Sequence, residues 1–120
     1  MIFSRLTPYI HDSRAVLIGS KKKVRWVFGW TKPGDHNHEV VMTHSRVSGK
    51  KEISEDGRVI LSISNIVVGD FAHAWTSNGY IFRVEVNAMV NEDRSNEYVF
   101  SIDGVPYDRW LDSTEAMRLM

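Results

Sequence analysis

The chain has 120 residues, with 42% hydrophobic and 25% charged side chains, which is the size and composition of one globular domain able to bury its own core. Fifteen Lys and Arg balance fifteen Asp and Glu, so no global field draws the protein to nucleic acid or to an anionic membrane. There is no cysteine, which excludes a disulfide framework, a thiolate metal site and a cysteine nucleophile, and fits a reducing, cytoplasmic compartment.

Residues 1–22 read as an N-terminal arm. Met1 to Phe3 and Leu6 to Ile10 are apolar without clean periodicity, and Pro8 argues against a helix interior. One short strand is expected at Ala15 to Ile18. That apolar run is too short to span a bilayer, and Lys21 to Lys23 follow it, unlike the order in a signal peptide. The lysine run reads as a solvated strand entry.

From Val24 onward the period is two. Trp26, Phe28 and Trp30 fall on one face of a strand, and Pro33-Gly34-Asp35 turns the chain. His38 to Ser45 is a second strand. Ser48 to Lys51 turns again, into a short strand at Lys51 to Glu55 whose side chains read as mostly exposed. Asp56-Gly57 is the strongest hairpin signal, because a type I′ turn needs positive φ at both central positions. Arg58 to Ser64 alternates, Phe71 to Trp75 follows, and Ser77-Asn78-Gly79 turns into Tyr80 to Asn87, with Tyr80 and Phe82 on one face. Asn91 to Asn96 is a polar loop, Glu97 to Ile102 a strand, and Asp103-Gly104 another hairpin turn. Val105 to Leu111 reads as a last short strand or turn, with Ser113 as N-cap of a short helix. The result is an all-β chain: an antiparallel β-sandwich over residues 23–112, with the arm before it and the start of a helix or tail at 113–120.

The catalytic candidates are weak. Ser45, Ser48 and Ser54 lie near His44 and Asp56 in sequence, but no nucleophile elbow accompanies them. Ser48 to Lys51 lacks the spacing of a phosphate loop, and the Asp-Gly pairs lack that of a calcium loop. His36 and His38 could share a strand face and, with His44 or His73, make a three-histidine metal site. The simpler reading puts His36 in a turn and His38 at the start of a strand, both solvated. No catalytic residue, metal ligand or cofactor is therefore assigned from the sequence. The aromatics remain. Most should be core, because the two inner faces of a sandwich need bulk, but Trp26, Phe28, Trp30, Tyr80 and Phe82 are the candidate partner-binding residues if either of their faces turns outward. Edge strands offer a second route to a partner.

One ordered set of motifs runs along the chain: His38 before Glu39-Val40, His44 followed by Ser48-Gly49-Lys50-Lys51, and Asp56-Gly57. Phe71 with Trp75, Tyr80 to Val86, Glu97 to Phe100 and Ile102-Asp103-Gly104 continue it. Taken together, over roughly Val24 to Asp112, these motifs resemble the N-terminal domain of the Fas apoptotic inhibitory molecule family. The resemblance implies a β-sandwich without an active site, in cytosolic proteins that oppose death-receptor signalling and protect against aggregation through protein contacts. The expected function is a non-enzymatic protein-interaction module, with other proteins as partners and self-association open to it. The alternative is a structural subunit held in a larger assembly by its terminal arms. A carrier with an apolar cavity between the sheets is a third reading.

Overall fold

The period-two segments become strands of two stacked sheets. The computed structural model describes residues 6–18, 21–45, 48–64, 69–88 and 96–119. In chain order the strands are β1 (Pro8–Ile18), β2 (Lys21–Trp30), β3 (His38–Ser45), β4 (Lys50–Glu55), β5 (Arg58–Ser64), β6 (Phe71–Ser77), β7 (Tyr80–Asn87), β8 (Glu97–Ile102), β9 (Val105–Pro106) and β10 (Leu111–Asp112). A single 3-10 turn, Tyr107–Arg109, separates β9 from β10, and the helix α1 (Ser113–Leu119) follows. One sheet has the order β10-β1-β2-β3-β4-β5 and the other β6-β7-β8-β9. All pairings are antiparallel except β1 with β10, where Tyr9 lies opposite Leu111 in parallel. The fold is thus the expected all-β sandwich. No helix among the described residues is long and apolar enough to cross a membrane.

The hairpins follow from local turn chemistry. Asp56, Asn78 and Asp103 have φ of 49°, 51° and 49°, and each is followed by a glycine at φ 81° or 82°. Those are the conformations a tight two-residue hairpin demands. The two aspartates do more than turn the chain. Asp56 donates its N–H to the Glu39 carbonyl and accepts the Glu39 N–H on Oδ1, at 2.9 and 2.8 Å. Asp103 does the same with Ile81, at 2.8 Å for both bonds. Each turn therefore clips its hairpin to the start of a neighbouring strand.

The core lies between the sheets. Phe100 of β8 is fully buried and meets Trp26, Phe28, Phe82 and Trp110 at ring-centroid distances of 5.5–5.8 Å. Val40, Met42, Ile53, Val84 and Val86 fill the gaps around these rings. Each fully buried side chain of this kind contributes about 1.5–3 kcal/mol relative to exposure. The interlayer space is filled by rings, where a carrier would need a cavity.

Three expectations change. Residues 8–18 form a strand eleven residues long instead of an arm with one short strand, and β2 begins at Lys21. Pro8 is tolerated because it is the first residue of β1, where a missing N–H costs little. The side chains of β4 are not mostly exposed. Lys51, Ile53 and Glu55 are buried because β4 is an interior strand and every second residue points between the sheets. The helix is capped by Asp112, not Ser113, since Asp112 Oδ1 accepts the Glu115 N–H at 2.8 Å. The strand-like run Ile66 to Val68 and most of the polar loop at Asn91 to Asn96 lie outside the described residues.

Candidate functional site

The expected aromatic contact surface is the core. Trp26, Phe28, Trp30 and Phe82 are 5%, 1%, 7% and 2% exposed, because their faces of β2 and β7 meet across the sandwich. Tyr80 is half-buried. Its ring lies 4.5 Å from that of Trp30, and its hydroxyl accepts the Leu6 N–H at 2.8 Å. The four buried rings are therefore not presented as a partner patch. Their alternation was plain in the sequence, but which face meets the other sheet depends on pairings far apart in the chain.

The edges of the two sheets differ. At one side the outermost strands, β9 and β10, are two residues long, and the 3-10 turn and α1 flank them. At the other side stand β5 and β6, seven residues each, and among the described residues each pairs on one side only. β5 is interrupted: its register with β4 shifts at Ile53 and Ser54, and it carries Arg58. β6 is regular. It pairs with β7 from Phe71↔Val86 to Ser77↔Tyr80 without a shift, and its sequence Phe-Ala-His-Ala-Trp-Thr-Ser holds no proline, lysine, arginine or carboxylate. Natural edges are usually blunted by a charge, a proline or a bulge, and β6 has none of these. Ala72, Ala74 and Thr76 point outward, while Phe71, His73, Trp75 and Ser77 lean over the interlayer gap.

Two buried polar groups hold β6 in place from the opposite sheet. The Glu55 carboxylate accepts Trp75 Nε1–H at 3.0 Å and the Ser77 hydroxyl at 2.6 Å. Near the start of β6, Lys51 Nζ lies 5.5 Å from the centre of the Phe71 ring. These contacts fix the strand that carries the open edge.

A second cluster forms where the turn after β2 meets the β4–β5 hairpin. Asp35, His36 and His38 bring one ligand atom each within 4.8 Å of one another. His38 Nε2 lies 3.2 Å from both Asp35 carboxylate oxygens, and its Nδ1 lies 3.3 Å from Asp56 Oδ2. Phe28 stacks on the His38 ring at 5.5 Å and His36 lies against it at 4.5 Å. Asp35 is itself anchored: its Oδ2 accepts the Trp30 N–H at 2.9 Å. Burial raises the Asp35 pKa, but the Trp30 N–H together with His38 and His36 outweighs it and holds the carboxyl below its usual value. Beside the cluster is a pocket of about 380 Å³ whose lining includes His11, Asn37, His38 and Asp56.

The other groups considered in the sequence lie apart. His44 Nδ1 meets the Tyr98 hydroxyl at 3.0 Å, and His73 stacks on Trp75. Neither joins His36 and His38. Asp56 faces His38 instead of His44; Ser45 Oγ accepts the Ser48 N–H at 3.3 Å, so these two serines shape a turn, while Ser54 lies within β4. Sequence reasoning paired His36 with His38 but missed Asp35. The available signal was its position, directly before His36 in a glycine turn. Comparison with known proteins found no matching family model, no matching curated protein and no matching solved structure.

Proposed function

We propose that this protein is a non-enzymatic interaction module that receives an extended segment of a partner protein along the edge of β6. The observation that carries the reading is that edge, open among the described residues: seven residues in unbroken register with β7, without a Lys, Arg, carboxylate, proline or bulge. A row of outward N–H and C=O groups is a template for one more strand, and main-chain hydrogen bonds supply affinity with little demand on side chains. Trp75, half-buried beside the edge, supplies an aromatic anchor of the kind that dominates binding energies.

The resemblance to the Fas apoptotic inhibitory molecule family belongs to the same reading. It would make the module a cytoplasmic regulator of apoptosis that also protects against aggregation. Covering the free edges of misassembling strands is one physical route to such protection. The absence of cysteine supports the cytoplasmic setting.

The test is selection of peptides from a displayed random library against the full chain, followed by affinity measurement on Ala74→Glu. Ala74 lies opposite Arg83, so the new carboxylate gains a cross-strand partner and the fold is kept. The selected peptides should be extended, apolar at alternate positions, and bind the variant about tenfold more weakly, or about 1.4 kcal/mol. Unchanged affinity for the variant, or helical ligands, would overturn the proposal.

A further inference from the structure

We propose that Asp35, His36 and His38 bind a borderline divalent transition-metal ion such as zinc, with Asp56 as the carboxylate that orients the His38 ring. This site is separate from the β6 edge and does not depend on it.

Both ring nitrogens of His38 face carboxylates, Nε2 toward Asp35 and Nδ1 toward Asp56. A carboxylate only accepts hydrogen bonds, and a neutral imidazole carries one N–H. One of the two contacts therefore needs a cation between its atoms, either a proton or a metal ion. Asp56 is fixed by its turn and by the Glu39 N–H on its Oδ1, and its Oδ2 stands 3.3 Å from His38 Nδ1. With the hydrogen on Nδ1 and donated to Asp56, Nε2 is left to share a metal ion with Asp35; without the ion, a proton on Nε2 fills the same place. A carboxylate behind a metal-binding histidine is the usual outer support of such sites.

The spacing agrees. Zinc binds imidazole nitrogen and carboxylate oxygen at about 2.0–2.2 Å in a tetrahedral arrangement, so two ligand atoms stand about 3.3 Å apart. Nε2 and both Asp35 oxygens are separated by 3.2 Å. His38 and Asp35 are also held rigidly, one by the Phe28 ring and the other by the Trp30 N–H, and their side chains are 15% and 11% exposed. His36 is exposed and its ligand atom lies within 4.8 Å of the others, so rotation of its side chain supplies the third bond. Two imidazoles and one carboxylate suit zinc, copper, nickel or cobalt better than magnesium or calcium. With His36 exposed, the fourth position would be open to water.

The test is calorimetric titration of the full chain with zinc chloride at neutral pH, on the native chain and on His36→Ala, Asp56→Asn and His73→Ala. The native chain should take up one equivalent saturably, and magnesium chloride should give no such isotherm. His36→Ala removes a ligand from an exposed position and should abolish the isotherm. Asp56→Asn is the sharper variant. Asn tolerates the positive φ, and its carbonyl oxygen keeps the Glu39 N–H, so its NH₂ faces His38 Nδ1 and favours the tautomer with hydrogen on Nε2. Zinc affinity should fall about 10–100-fold. His73→Ala should leave binding unchanged. The absence of a saturable isotherm on the native chain would overturn the proposal. So would native affinity in His36→Ala, or equal weakening in His73→Ala, which would mark scattered surface binding. Should Asp56→Asn unfold by circular dichroism, His36→Ala still decides the matter.

Discussion

Glu55 ties the two sheets together at the strand that carries the open edge, and its removal has a calculable cost. In Glu55→Ala, Trp75 Nε1–H and the Ser77 hydroxyl lose their acceptor. Hydrogen bonds to charged groups contribute about 1.5–3 kcal/mol each, so the pair sums to about 3–6 kcal/mol. Two effects reduce this. The buried carboxylate no longer has to be desolvated, and water reaches the half-exposed Trp75 and Ser77. A net loss of about 2–4 kcal/mol remains, a large part of the total stability of about 6–18 kcal/mol expected for a domain of this length. Glu55→Gln should cost about 1 kcal/mol, because its carbonyl accepts from Trp75 and its NH₂ donates to Ser77 after the hydroxyl rotates. Urea unfolding of the two variants reads the difference, with an unchanged slope confirming a pure stability effect. A double-mutant cycle with Ser77→Ala isolates the shared bond. If Glu55→Ala costs no more than about 0.5 kcal/mol, as a surface change would, Glu55 is not the inter-sheet tie and the argument fails.

Further substitutions probe the remaining parts. Phe100→Ala, at the hub of the ring cluster, should lose about 3–5 kcal/mol in the same denaturation assay; a loss under about 1 kcal/mol would mean the rings are not packed as described. Gly29→Ala should destabilise by about 1–3 kcal/mol, since its Cβ would stand 2.5 Å from Tyr9 Cζ and Oη. In a Tyr9→Ala background the same change should turn neutral or stabilising, because alanine is favoured over glycine in a strand; the same sign in both backgrounds would refute the Tyr9–Gly29 contact and with it the placement of β1. Tyr107→Phe removes a 2.7 Å hydrogen bond to the buried Val27 carbonyl and should cost about 1 kcal/mol by thermal or urea unfolding, whereas an unchanged midpoint would mean that bond is not formed in solution.

What was legible in the sequence is what local chemistry decides. Asp56-Gly57, Asn78-Gly79 and Asp103-Gly104 each meet a demand for positive φ at neighbouring residues, so three hairpins were readable from dipeptides. Alternation likewise marked β2, β5 and β7. The failures lie where the answer depends on distant pairing. Lys51 and Glu55 look like solvent-facing charges until β6 is laid over them and supplies Phe71, Trp75 and Ser77 as partners. Residues 8–18 show no clean alternation, and their strand state comes from the ladder they form with β2. That most of the aromatics are core follows from the bulk a sandwich needs, but which faces of β2 and β7 turn inward is settled only when the second sheet is in place. The His38 site is a compound case. Asp35 and His36 are near it in sequence, but the orienting carboxylate of Asp56 arrives from the next hairpin.

The openness of β6 is the claim on which the proposed function stands, and it can be measured on the protein alone. Residue-resolved amide hydrogen exchange by NMR reads each N–H of β6 and β7 separately. Protection should alternate along Phe71–Ser77: amides aimed at β7 protected, and those aimed away exchanging far faster than any amide in the interior of β7. Uniform protection along β6 would mean that another strand already covers the edge, and the proposed route of partner recognition would be wrong.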